Sequence, residues 1–341
     1  MALTRLKNVT ATSLAEGAVE DAMVTPSGRR NIIINGDMQV AQRGTSVTGA
    51  TIYSYNTADR ARLSKSGASG VVVDQEIVDD QDVGDFVAKA LKTTVTTVSS
   101  NAGTTGYNYR VEDLDIQYLK DKTVTLSWYA KADQAVDVLT FASCNSVSFF
   151  SETISYSTSW KRYTKTFTVS EVGGFMDIGL RQDAEVATST YTTGVQLELG
   201  SVATPFEHRS YGEELQLCFR YFYSTMFLRS ANSLTAPTNN APQIFGARHR
   251  FADVTGYRSQ DVQHPVPMRA SPSITFYNPG NSGTSGQFEL YSHDGNSQNF
   301  SGFITVNRET SFIFAGYTGV SVGTGGYSTV CFAHWKADAE L

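Results

Sequence analysis

Val195-Gln-Leu-Glu-Leu-Gly-Ser-Val-Ala-Thr-Pro-Phe-Glu-His-Arg-Ser-Tyr-Gly-Glu-Glu-Leu-Gln-Leu-Cys218 is the stretch on which the fold turns. Val195, Leu197 and Leu199 alternate with Gln196 and Glu198, the period-two pattern of a half-buried strand. Gly200-Ser201 and Thr204-Pro205 then mark a turn. After Tyr211, apolar Leu215, Phe219 and Phe222 stand at helical spacing and predict a short helix from Gly212 to Tyr223. Strand, turn and short helix in succession divide the chain into two β-rich parts.

On the N-terminal side, strand signals begin at Arg29. Asn31-Ile-Ile-Ile-Asn35 is an apolar run closed by the turn dipeptide Asn35-Gly36. Val71 to Asp74 and Val87 to Val98 continue the β character, and Val111 to Leu119 allows one or two helical turns. In Lys122 to Ala130, Val124, Leu126, Trp128 and Ala130 point one way and Thr123, Thr125, Ser127 and Tyr129 the other. Tyr163, Phe167 and Val169 form another such face, as do Met176, Ile178 and Leu180. Trp128 and Trp160 are expected in the core. Short strands in series, with little helix, predict a sandwich; the domain length and long connections favour a jelly roll.

On the C-terminal side, residues 229 to 245 read as a linker rich in Ser, Asn, Thr, Ala and Pro. Short strands follow at Ser273 to Tyr277, Gly286 to Tyr291, Phe303 to Val306, Ser311 to Phe314 and Thr329 to Trp335. Prolines 265, 267, 272 and 279 mark edges and bends between them. The fold class is therefore all-β. Two sandwich domains, 29–208 (jelly-roll-like) and 229–341, are joined by a short helical connector, 209–228. Residues 1–28 hold scattered apolar residues with no sustained period and form an extended segment, either a loose tail or an anchor ordered by a partner.

Composition narrows the function. The chain has 341 residues, a net charge of −6 and only 18% charged residues, with 17 Tyr and 19 Phe. No Lys/Arg run exists to engage phosphates, so nucleic acid is not expected as a partner. No apolar run is long enough for membrane insertion, and the first residues lack the apolar core of an export signal. Cys144, Cys218 and Cys331 are odd in number and widely spaced, which suits reduced structural thiols. Metalloprotease, phosphate-loop and nucleophile-elbow signatures are all missing. The five histidines lack metal-ligand spacing. Asp79-Asp80-Gln81-Asp82 could offer oxygen ligands to calcium but reads first as a solvated turn. No catalytic residue, metal or cofactor is assigned.

Ligand-binding candidates are aromatic and polar neighbours beside turns of the C-terminal part: Tyr277, Asn278, Tyr291, His293, Asp294 and Tyr317. Each of these tyrosines also fits an interfacial packing role, ring buried and hydroxyl wet. Leu215, Phe219 and Phe222 give the short helix a broad apolar surface, suited to an oligomer interface or to packing on its own domain.

Three groups of residues carry a resemblance. Arg30-Asn-Ile-Ile-Ile-Asn-Gly-Asp-Met-Gln-Val-Ala-Gln-Arg-Gly-Thr-Ser46 and Thr57-Ala-Asp-Arg60 resemble the opening of bacteriophage tail-fibre and receptor-binding proteins, with Ala61 standing where that motif usually has Trp. Leu126 to Asp133, Thr158 to Val169 and Gly194 to Gly200 resemble the late strands of family 4/9-like carbohydrate-binding modules. Pro267 to Thr275 and Trp335 to Leu341 are similar to the tip domain of the same fibre proteins. The resemblance implies a virion tail component made in the host cytoplasm. It implies a homotrimer, attached to the tail or an adaptor through residues 1–28, that binds a host surface glycan or protein receptor without catalysis. The alternatives are a capsid decoration or tail-wall protein without receptor binding, and a polysaccharide depolymerase.

Overall fold

A computed structural model describes residues 29–225, 244–250, 257–277, 286–292, 297–317, 328–332 and 334–340. The expected attachment segment 1–28 and most of the expected linker lie outside the described residues. The structure is all-β, with antiparallel sheets and two short helices among the described residues. The chain divides into two compact units. Met1–Gln39, Thr48–Ser54 and Ala61–Arg209 form the first; Val40–Val47, Tyr55–Arg60 and Ser210–Leu341 form the second. The division is therefore not the simple cut near residue 209 that the sequence predicts. Two short N-terminal segments and the connector helix belong with the C-terminal unit.

The first unit is a jelly-roll-like sandwich of β1 (Ala61–Ser66), β2 (Val72–Asp82), β3 (Val87–Thr97), β4 (Thr104–Val111), β5 (Thr123–Ala132), β6 (Val136–Cys144), β7 (Val147–Tyr156), β8 (Lys161–Thr168), β9 (Met176–Asp183) and β10 (Ser189–Leu199). A helical turn, α1 (Asp113–Ile116), lies between β4 and β5, where the sequence allows one. One sheet contains β2-β3-β10-β5-β8 in that order and the other β1-β4-β9-β6-β7. Their facing sides carry the alternating apolar residues. Leu126, Trp128 and Leu197 are fully buried on one side; Leu63, Val138 and Ile178 match them on the other. Trp128 stacks on Tyr163 with centroids 5.7 Å apart, and its indole N–H donates to the Tyr156 hydroxyl at 2.8 Å. That bond resolves the problem of burying an indole donor. Trp160 is not in this core. It precedes β8, is half-buried, and has the Lys131 ammonium 5.2 Å from its ring centroid.

Strands β5 and β10 are buried on both faces, against the half-buried expectation. Gln196 and Glu198 are 0% and 1% exposed. Residues 200–209 and 30–36 supply their partners. Glu198 accepts from Thr204 N at 2.9 Å and Thr204 Oγ1 at 2.5 Å, and Gln196 Oε1 accepts from Glu207 N at 2.8 Å. Glu207 in turn accepts from the amides of Arg30 and Asn31 at 3.1 and 2.7 Å. Asn31 Nδ2 donates to Val195 O at 3.1 Å, while Oδ1 accepts from Leu197 N at 3.1 Å and Ile33 N at 2.9 Å. Gly36 lies against the same strand; a Cβ there would stand 2.1 Å from Val195 O.

In the second unit, α2 (Tyr211–Phe219) begins in a capping box. Ser210 accepts from Glu213 N, and the Glu213 carboxylate accepts from Ser210 N. The helix stops at Phe219, short of the expected Tyr223. Phe222 instead opens β11 (Phe222–Ser224) and is 1% exposed. The remaining strands are β12 (Ile244–Arg250), β13 (Tyr257–Gln263), β14 (Ser273–Tyr277), β15 (Gln287–Ser292), β16 (Ser297–Asn307), β17 (Ser311–Tyr317), β18 (Ser328–Phe332) and β19 (His334–Asp338). They form a β11-β19-β14 sheet and a β12-β18-β15-β16-β17-β13 sheet. Met268, Phe276, Phe312, Trp335, Ala337 and Ala339 make a buried core there.

Segments 40–47 and 55–60 are held in this unit by a buried ionic network. Asp59 accepts from Gln42 N at 3.0 Å and Gln42 Nε2 at 2.6 Å, with Arg43 at 3.6 Å. Arg43 also reaches Glu340 at 3.3 Å, and its guanidinium carbon lies 3.6 Å from the Phe222 ring centroid. Arg60 pairs with Glu340 and covers the Tyr221 ring at 3.5 Å. Burial pushes the Asp59 carboxyl up to about 6, against the pull of Arg43.

Two predictions follow from these contacts. Asn31→Ala leaves three buried backbone groups without partners and should lower unfolding stability by on the order of 3 kcal/mol. Urea unfolding followed by tryptophan fluorescence measures this, and an unchanged midpoint contradicts it. Folded Asp59 holds its proton to higher pH than the unfolded chain, whose carboxyl titrates near 3.8. Its contribution is therefore full below about pH 4 and is lost as pH rises through about 6. Thermal unfolding of the wild type should fall more between pH 4.5 and 6.5 than that of Asp59→Asn; parallel curves refute the assignment.

Candidate functional site

The outer face of the β1-β4-β9-β6-β7 sheet is built from the residues that alternate with the core. Strand register sets them in rows. Arg62 lies opposite Asn108, Asn108 opposite Gly179, Gly179 opposite Phe141, and Phe141 opposite Ser151. The next row toward one end holds Arg110, Asp177, Ser143 and Ser148. The next toward the other holds Ser64, Gly106, Arg181, Leu139 and Thr153.

Two glycines shape the middle. A Cβ on Gly179 would stand 2.1 Å from the Phe141 ring, so the ring lies directly over that backbone. A Cβ on Gly106 would stand 2.3 Å from Leu180 O. Glycine inside a strand weakens it and marks a close approach, here of an aromatic ring to the sheet. Arg181 extends into the cleared space. Its Nε donates to Asn108 Oδ1 at 3.0 Å, one terminal nitrogen donates to Ser64 Oγ at 3.3 Å, and its guanidinium carbon lies 4.8 Å from the Phe141 centroid.

Charge and aromatic surface continue beyond this centre. Arg110 pairs with Asp177 at 2.9 Å and sits 4.0 Å from the centroid of Phe175, which is 37% exposed. Arg62 lies 5.4 Å from the centroid of Tyr53, which is 53% exposed. Burial holds the Arg181 guanidinium below its ordinary value, helped by the like charges of Arg62 and Arg110 and opposed by Asp177. Asp137 and Asp183 lie at the far end, where Asp137 accepts from Ser155 at 2.5 Å and Asp183 from Glu185 N at 2.8 Å. The face thus offers a flat ring and guanidinium donors, steadied by the buried Asn108 amide, a set able to lie against an apolar sugar face and bond its hydroxyls.

Of the ligand-binding residues proposed from sequence, Tyr277, Tyr291 and Tyr317 are among the described residues, on three different strands. Tyr277 ends β14, half-buried, with Lys336 Nζ 5.8 Å from its ring centroid. Tyr291 lies in β15 opposite Ser297, and Tyr317 ends β17 one residue beyond the Gly302–Gly316 pair. Asn278, His293 and Asp294 lie outside the described residues. Leu215 and Phe219 are half-buried on α2, and Phe219 meets the Tyr223 ring edge-on at 5.0 Å. Phe222 lies under Arg43 in its own unit, so it gives no outward surface to an oligomer. Among the described residues no group of three or more His, Cys, Asp or Glu could hold a metal ion, and Asp79 pairs with Lys89 at 2.9 Å.

Sequence reasoning missed the outer face because Phe141 sits in the hairpin Val136–Tyr156, which carries no Gly or Pro. The available signals were the alternation of Val136, Val138, Thr140, Ala142 and Cys144 and the turn at Asn145-Ser146, where φ is 48° and 68°. Glycines inside strands at 106 and 179 were the others.

No family model matches the chain, and no curated protein matches it. Similar solved structures include a family 4 carbohydrate-binding module, at 17% identity over 49% of this chain and 98% of the module, with a TM-score of 0.35. The enzymatically active domain of bacteriophage CBA120 tailspike protein 4 is similar at 14% identity over 50% of this chain and 21% of that one, with a TM-score of 0.33. TmCBM61 in complex with β-1,4-galactotriose is similar at 12% identity over 50% of this chain and 100% of that one, with a TM-score of 0.33.

The packing of Phe141 on Gly179 yields a test by double-mutant cycle. Gly179→Ala should cost about 1–3 kcal/mol of stability in the wild type and much less in a Phe141→Ala background, where the ring is gone. Equal costs in both backgrounds would show that the ring does not rest there.

Proposed function

We propose that this chain is a non-catalytic glycan-binding protein of a phage tail fibre, and that the outer face of the β1-β4-β9-β6-β7 sheet holds the sugar. The observation that carries the proposal is the juxtaposition of Phe141, Asn108 and Arg181 on that face, with Tyr53 and Phe175 exposed beside it. An aromatic ring with fixed polar neighbours recognises a saccharide by shape and hydrogen bonds, and needs no reactive group. The virion setting rests on the sequence resemblance, whose motifs at Thr57–Arg60 and Trp335–Leu341 supply much of the buried ionic network of the second unit. Residues 1–28 would attach the chain to the tail. Three copies would convert weak single-site binding into avidity gains of roughly 10² to 10⁴.

The test is binding of the full chain to purified host surface polysaccharide. Phe141→Ala and Asn108→Ala should each weaken binding about tenfold, equivalent to about 1.4 kcal/mol, while Tyr277→Ala leaves it unchanged. The reverse pattern places the site in the C-terminal unit, and release of reducing ends during incubation would make the protein a depolymerase.

A further inference from the structure

We infer that the saccharide bound by this face carries a carboxylate, as a uronic or sialic acid does, and that Arg181 is the residue that grips it. The inference rests on the glycan-binding proposal above and narrows it to one ligand class.

A guanidinium taken partly out of water is ordinarily matched by a carboxylate in the protein. Arg110 follows that rule with Asp177 at 2.9 Å. Arg181 does not: its bonds go to the neutral oxygens of Asn108 and Ser64, and among the described residues no carboxylate lies within ion-pairing distance of it or of Arg62. Two of its five N–H groups are used in this way, leaving three for a ligand. The Asn108 and Ser64 bonds fix the plane of the fork, and Phe141 flanks it. A guanidinium held in one plane with N–H groups to spare is matched to a planar carboxylate, which accepts two parallel bonds from it. Arg62 and Arg110 add positive charge on the same side, against the single carboxylate of Asp177. Asp137 and Asp183 stand in the row next beyond that of Arg181, where Ser155 and Glu185 N engage them. An acidic sugar on this face is oriented with its carboxylate on Arg181 and a neighbouring ring on Phe141.

The test is calorimetric titration of the full chain with paired acidic and neutral oligosaccharides. The pairs are oligogalacturonate with its methyl ester, sialyllactose with lactose, and a hyaluronan tetrasaccharide with chitotetraose. At least one acidic member should bind tenfold or more tightly than its neutral partner at low salt, the margin shrinking as salt rises. Arg181→Gln should abolish that preference, and Arg181→Lys should restore part of it. Asp177→Asn, which removes a repelling charge and leaves Arg181 in place, should strengthen the acidic ligand severalfold; this variant keeps the test decisive if Arg181→Gln fails to fold. Equal binding of both members of every pair, or a preference that survives Arg181→Gln, overturns the inference while glycan binding stands. Binding to no member of the panel overturns both.

Discussion

Asn31 meets the backbone of a strand more than 160 positions away through both ends of its amide, donating to Val195 and accepting from Leu197. A central strand has all its ladder bonds taken by neighbours only if every neighbour is present. Here, where the register of β10 slips between Thr193 and Gln196, the neighbouring partner is a segment without regular structure. A buried amide that supplies both donor and acceptor repairs the ladder at that point. The rest of that sheet's outer face follows from it. With residues 30–36 lying on β10, Gln196 and Glu198 lose contact with water and must find partners, and the chain after β10 folds back to provide Thr204 and Glu207. The sandwich is closed by polar bonds on its outside as much as by apolar packing within.

The two sheets of the first unit therefore have different outer faces. One is covered at β5 and β10 and buries its polar residues. The other keeps open a face of glycine, arginine and aromatic side chains. Openness alone would leave scattered groups. Gly179 makes the difference, because only a residue without a side chain lets Phe141 lie on the backbone there, beside the Arg181 guanidinium. The site is preorganised by what is missing at one position, which is how a sheet, with its fixed pitch, can hold a ring and a guanidinium side by side.

The fold was legible where alternation was clean. The series through Val124 to Ala130, Tyr163 to Val169 and Met176 to Leu180 named the core faces that the structure buries. Polar residues misled, because Gln196 and Glu198 look solvent-facing until their partners, distant in sequence, are known. The spacing of Leu215, Phe219 and Phe222 extended the helix too far, because a three-residue step fits a strand beyond a turn as well as one more helical turn. The outer-face site was nearly illegible. Arg62, Asn108, Phe141 and Arg181 come from four strands, and nothing local says that they share a face.

The arginines of this chain show why burial by itself does not mark function. Arg43 and Arg60 are 8% and 3% exposed, yet Asp59 and Glu340 answer their charge and aromatic rings cover their planes. Such pairs cost desolvation twice and return it through mutual attraction, so their main effect is to fix which segments come together. They tie residues 40–47 and 55–60 to the C-terminal strand. Arg181 is less buried and worse matched. Its neutral partners orient the guanidinium without neutralising it, Arg62 and Arg110 repel it, and Asp177, which attracts it, is paired with Arg110, so it is left without a carboxylate of its own within the chain. A fixed, uncompensated charge at a surface gains more from an arriving anion than a paired one does. The residue whose surroundings satisfy it least is the one best placed to act on something outside the protein.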